Sequence, residues 1–159
     1  MRKEFKPLKD FVIKPIGFHE ACKFVKENHS YLPSPRGCKF AISVWQNDQI
    51  KGVVIVGRPI SPQNDDNITA EVSRLAVKEN FPNAASCLLG AAWRCAKAMG
   101  YQRMISYVTA ELNGESFIAA GWKFVITRKR VGWHNRETKL PINDSQAVTK
   151  FMKSELPPS

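Results

Sequence analysis

Apolar residues recur with period two in some runs of the chain and with period 3.6 in others, and the switches between the two divide it into elements. "DFVIKPI" reads as a short strand that Pro15 ends. "FHEACKFVKENH" sets Phe18, Ala21, Cys22, Val25 and His29 on one helical stripe, with Lys and Glu opposite. "SYLPSPRG" is a rigid loop, because Pro33 and Pro35 remove donors and fix the backbone. "KFAISVW", the turn "QND" and "QIKGVVIVGRPI" read as a hairpin, followed by the polar loop "SPQNDDN". "ITAEVSRLAV" is a further strand, with Glu71, Ser73 and Leu75 alternating against Val72, Arg74 and Ala76. A helix follows from about Ala84 to Met99, stopped by Gly100. "YQRMISYVTA" is a strand, "ELNGESFIAAG" a short helix broken by Gly121, and "WKFVITRK" a last strand. The remainder is a basic loop and a short helix capped by Asp144.

Strand–helix–strand in the middle implies a crossover between parallel neighbours, and the hairpins before it imply an antiparallel half. The expected fold is therefore α/β, a mixed and largely antiparallel central sheet with a parallel crossover in the middle and helices on both faces. Residues 1–130 are expected to form one domain, and residues 131–159 a basic C-terminal extension with the short helix.

Length and composition leave that picture standing: 159 residues, 43% hydrophobic and 24% charged, describe a globular domain with a sizeable core. No apolar run is long enough to span a membrane, and "MRKEFKPLKD" leads into no secretory pattern, so a cytoplasmic protein is expected. Cys22, Cys38, Cys87 and Cys95 form no C-x-x-C pair and read as buried, reduced thiols; His19 and Cys22 share a helical face, but two ligands make no metal site. The charge of +10 and pI near 9.7 suit a phosphate-bearing or acidic partner. A nucleotide cofactor, a nucleic acid and a well-solvated lysine surface would each account for it.

The candidate chemistry starts at "NFPNAASCLLGAAW", where a loop of small residues opens directly into a helix after a strand. The first amides of such a helix lack intrahelical partners and carry the positive end of its dipole. Asn83, Ala84, Ala85 and Ser86 are small enough for a phosphate to approach them. The same residues would equally serve only to cap the helix and pack it against the sheet. There is no G-x-x-x-x-G-K-[ST], no G-x-G-x-x-G and no nucleophile elbow.

The pattern resembles the GNAT superfamily of N-acetyltransferases, whose signature is a strand followed by Q/R-x-x-G-x-G/A at a helix start. The matching frame is Asn80-Phe81-Pro82-Asn83-Ala84-Ala85, with Asn at its first and fourth positions. Five blocks in order, "PSPRG", "VGRP", "EVSRL", "PNAASCLLGAAWRCAKAMGY" and "AAGW", resemble a subgroup of small bacterial and prophage GNAT proteins. A more remote similarity is to phage Mom-type proteins, GNAT-like enzymes that modify adenine in DNA.

The resemblance implies acetyl-CoA as cofactor, its pyrophosphate on Asn80 and the amides of Asn83 to Ser86, its pantetheine along Leu75, Ala76 and Val77. It implies a base or substrate-orienting role for Glu71, against which stands a plain ion pair with Arg58 or Arg74. The family's usual acid, a Tyr, falls at Phe117 here, so Ser116 and Tyr107 are the substitutes by position. His29, Tyr31 and Arg36 would recognise the acceptor from the loop after the first helix. The leading expectation is acetyl transfer to a primary amine of a small molecule, peptide or protein. Two readings stand beside it. One is a Mom-like enzyme modifying a nucleobase in DNA, for which "RKR" at Arg128–Arg130 and "GWHNR" supply basic and aromatic residues. The other is a non-catalytic CoA- or nucleic-acid-binding module. GNAT proteins often dimerise, so a homodimer through the tail is also expected.

Overall fold

A computed structural model describes residues 11–28, 34–78, 81–109, 114–128 and 148–155. Seven strands, β1 (Val12–Pro15), β2 (Phe40–Gln46), β3 (Gln49–Gly57), β4 (Thr69–Val77), β5 (Arg103–Thr109), β6 (Lys123–Arg128) and β7 (Val148–Ser154), form one sheet. Its order is β1-β2-β3-β4-β5-β7-β6. Every neighbouring pair is antiparallel except β4 and β5. The helices are α1 (Phe18–Asn28), α2 (Pro82–Ala98) and α3 (Glu115–Ala119). Pairing of β4 with β5 is the parallel crossover expected around α2.

Local chemistry explains the boundaries. Asn47 and Asp48 both have positive φ, 52° and 61°, which closes the β2–β3 hairpin with the right-handed twist its strands need. Gly100 and Gly121, at φ 99° and 84°, end α2 and α3 in the same way. The next amide turns back onto the helix, Tyr101 N–H to the Ala96 carbonyl at 3.0 Å and Trp122 N–H to that of Phe117 at 2.9 Å.

Each face of the sheet has its own core. On one, α1 lays Ala21, Phe24 and Val25 against Val53, Ile55 and Ala76. On the other, α2 packs Leu88, Leu89 and Trp93 onto Val54, Val56 and Val72. Here Phe24 is buried, although it was not on the expected stripe, while Cys22 is only half-buried. The thiols are free but not buried as expected, since Cys38 and Cys87 are also half-buried and Cys95 is exposed.

Two expectations are corrected. Residues 148–154 are not helical: they form β7, inserted between β5 and β6, and Phe151 stacks on Phe117 at 5.1 Å in the α2-side core. β4 does not alternate evenly either. Its register with β3 runs from Ile55↔Arg74 to Val56↔Val72, so Ser73 is the extra residue of a bulge. Ala70 and Val72 before it, and Leu75 and Val77 after it, all join the α2-side core. Glu71 and Arg74 consequently share the α1 face.

Candidate functional site

Beyond the bulge the sheet opens. β4 and β5 pair only from Thr69↔Arg103 to Val72↔Ser106, although β4 continues to Val77 and β5 to Thr109. Two hydroxyls secure the point of divergence: Ser73 Oγ donates to the Ile55 carbonyl and Ser106 Oγ to that of Val72, each at 3.2 Å. Past it, among the described residues, the main chain of Ser73 to Val77 has no strand on its β5 side. Unpaired backbone of this kind is a ready partner for an extended amide-bearing ligand. Leu75 and Val77 point into the α2-side core and Ala76 into the other, so their side chains leave the main chain accessible only from the opening.

At the start of α2 the orphan amides belong to Phe81, Asn83 and Ala84, since Pro82 has none. Ala84 N–H already reaches the Phe81 carbonyl at 3.1 Å, and Ser86 Oγ donates to the Asn83 carbonyl at 3.2 Å. Ala84 and Ala85 are buried and Asn83 is half-buried. Ala85 and Ser86 lie a turn inside, where amides bond back along the helix. The anion-binding donors are thus fewer than the sequence suggested, centred on Asn83. Asn80 lies outside the described residues, as do His29 and Tyr31.

Glu71 is 3% exposed in mid-sheet, and its Oε1 is buried without a hydrogen-bond partner. Burial pushes its pKa up to about 7, against the pull of the Ile60 amide and the charges of Arg74 and Lys150. The expected alternative, an ion pair with Arg58, does not form: Arg58 pairs with Asp65.

Tyr107 stands two residues beyond Ile105, which pairs with Glu71, on the same face and 42% exposed. Asn64, at the end of a 3₁₀ turn (Pro62–Asn64), donates from Nδ2 to Tyr107 Oη at 2.9 Å. Lys150, the cross-strand partner of Tyr107 on β7, donates to Asn64 Oδ1 at 3.3 Å, its ammonium 5.7 Å from the Tyr107 ring. Lys150 therefore links Tyr107 and Glu71 electrostatically. Ser116 is not part of this group: it begins α3, whose Phe117 is in the core on the other face.

Next to Glu71 a cavity of about 830 Å³ opens on the α1 side. Its lining includes Ser34, Arg36 and Lys39 from the loop before β2, Arg58 after β3, and Ser73 and Arg74 on β4. The loop is fixed by Lys39 N–H, which donates to the Val56 carbonyl at 2.8 Å. Of the three acceptor-side residues read from the sequence, Arg36 is the one the structure places at this cavity. Asn64, Arg74 and Lys150 were missed. The apolar positions 70, 72, 75 and 77 break phase between Val72 and Leu75, and that break was the signal for Arg74; for Lys150 there was none, because β7 was not foreseen.

The fold is that of the GNAT acetyltransferases, and solved structures of that class superpose on nearly the whole chain. A polyamine N-acetyltransferase of Drosophila melanogaster matches with a TM-score of 0.68 at 11% identity, over 91% of this chain and 100% of the other. An N-acetyltransferase of Staphylococcus aureus matches at 0.67 and 14%, over 91% and 98%. A putative acetyltransferase of Salmonella typhimurium, solved with its cofactor acetyl-CoA, matches at 0.66 and 12%, over 91% and 94%. Among curated proteins none matches. The model of the Mom protein family matches residues 10–155, and the chain belongs to that family.

Proposed function

We propose that the protein is a CoA-dependent group transferase whose acceptor is a nucleobase in DNA, adenine by the family resemblance. The observation that carries the acceptor is the Mom family match over residues 10–155, supported by the charge of +10. What supports the donor is the open strand edge beyond Ser73 together with the amides that begin α2. These fit an acyl-CoA: main chain of Leu75, Ala76 and Val77 for the pantetheine amides, and the α2 terminus around Asn83 for the diphosphate. When bound, the cofactor supplies an acyl group activated as a thioester.

Forming a new N–C bond requires the acceptor amine to lose a proton and a thiol sulfur to gain one. Glu71, poised near neutrality, is the group to take the first proton. Tyr107 holds one at Oη; because Asn64 already donates to that oxygen, the phenol proton remains available for donation. Lys150 keeps both groups in a positive field that favours the Glu71 carboxylate. Nucleosides from the DNA of cells expressing the protein should contain a modified deoxyadenosine, read by mass spectrometry, that vanishes with Glu71→Gln. An unmodified nucleoside profile in cells that make folded protein would overturn the acceptor.

The structural neighbours whose names state N-acetyltransferase favour a second reading, acetyl transfer to a primary amine of a small molecule, peptide or protein. A panel of polyamines and lysine peptides with acetyl-CoA separates the two, since only this reading predicts their acetylation.

A further inference from the structure

The cavity beside Glu71 has a lining whose charges are all of one sign. Arg36, Lys39, Arg58 and Arg74 contribute four cations, and no carboxylate is among the lining residues. Two of these cations are engaged: Arg58 with Asp65, and Arg74 with the Ser73 carbonyl at 2.6 Å and with the field of Glu71. The other two differ. Arg36 and Lys39 are exposed, and among the described residues neither has a carboxylate at ion-pairing distance. They stand on a loop whose backbone is pinned to β3 by the Lys39–Val56 hydrogen bond. A polyamine or lysine side chain entering here would meet like charge from four sides. An anion would be drawn in, and low-dielectric walls strengthen the attraction.

We propose that this cavity is a phosphodiester cradle, in which Arg36 and Lys39 hold a backbone phosphate of the nucleic-acid acceptor while the adjoining base reaches Glu71 and Tyr107. The inference rests on the nucleobase reading above and adds to it the residues that grip the strand. The seryl hydroxyls of Ser34 and Ser73 in the same lining are further donors suited to phosphate oxygens. The other phosphate source is the diphosphate of the cofactor, but the amides suited to it begin α2, which packs on the opposite face of the sheet.

The test uses Arg36→Gln and Lys39→Gln in the full chain, with Lys123→Gln on exposed β6 as the control for loss of one positive charge. Affinity for a fluorescent single-stranded oligodeoxynucleotide is measured by anisotropy between low and moderate salt. Each cavity variant should weaken binding several-fold and lower the slope of log K against log salt by about 0.7, the value for one lost phosphate contact on a single strand. Lys123→Gln should leave the slope within error, and the acetyl-CoA-induced rise in melting temperature should be the same in all three variants. Wild-type slopes for Arg36→Gln and Lys39→Gln, in a protein that does modify DNA, overturn the cradle alone. A lost acetyl-CoA response in these variants overturns it too, because the cavity would then serve the cofactor. Absence of base modification by the wild type overturns the nucleobase reading itself.

Discussion

Glu71 concentrates the chemistry of the site in one carboxyl group. Its pKa near 7 sits above the ordinary 4.5, so the folded state favours the protonated form. The stability this gives is present at low pH and is lost as pH rises through about 7, where burial of the anion begins to count against folding. Two expectations follow with opposite signs. Activity of the wild type should climb between pH 6 and 8 with a midpoint near 7, following the basic form. Glu71→Gln should lose about 10²-fold or more in turnover, yet melt higher than wild type at pH 8 and alike at pH 5. A variant that melts lower at pH 8 would show that the ionised carboxylate is a structural partner of Arg74 rather than a poised base. Tyr107→Phe tests the proton at Oη: turnover should fall by about 10²-fold with cofactor binding unchanged, whereas an unaltered rate would assign the acid role elsewhere.

At the scale of elements, the sheet depends on a strand contributed by the end of the chain. Phe151 on β7 stacks on Phe117 at 5.1 Å and is met edge-on by Phe124 at 6.3 Å, so one ring ties β7 to both α3 and β6. Phe151→Ala should cost about 3–5 kcal/mol, measured by urea denaturation, and a loss below about 1 kcal/mol would mean that β7 is dispensable. This strand also marks the limit of what could be read ahead of the structure. The first six strands and three helices were legible, since each carries its period and is bounded by Pro, Gly or an Asn-Asp turn. In β7 the apolar positions are few, the preceding segment is basic, and its partners on β5 and β6 lie far back in sequence. Asp144 suggested a helix cap because local signals were all that "VTKFMKS" offered. Glu71 and Tyr107 were legible as candidates, but their common face was not. It depends on the single extra residue Ser73, which rotates everything after it by one step.

At the scale of the whole molecule, the bulge and the divergence of β4 from β5 make the two faces of the sheet communicate. α2 and its amides lie on one face, while the cationic cavity and Glu71 lie on the other. An opening in the sheet is what allows a donor gripped from one side to meet an acceptor held on the other. Intact central pairing would be more stable, so the gap makes sense as a place for a ligand to supply the missing edge. It follows that the cofactor should stabilise the folded protein strongly, because it completes a sheet. At a hundredfold excess over its Kd, acetyl-CoA should add about 2.7 kcal/mol, a rise of roughly 5–10 °C in Tm for a domain of this size. CoA without the acyl group should do nearly as well, since diphosphate and pantetheine make the contacts, and Glu71→Gln should respond like wild type. Adenosine alone should give little, lacking the chain that would lie along Ser73 to Val77. No shift with millimolar acetyl-CoA would mean that the gap between β4 and β5 is filled by something other than a CoA thioester, and the transferase reading would fall with it.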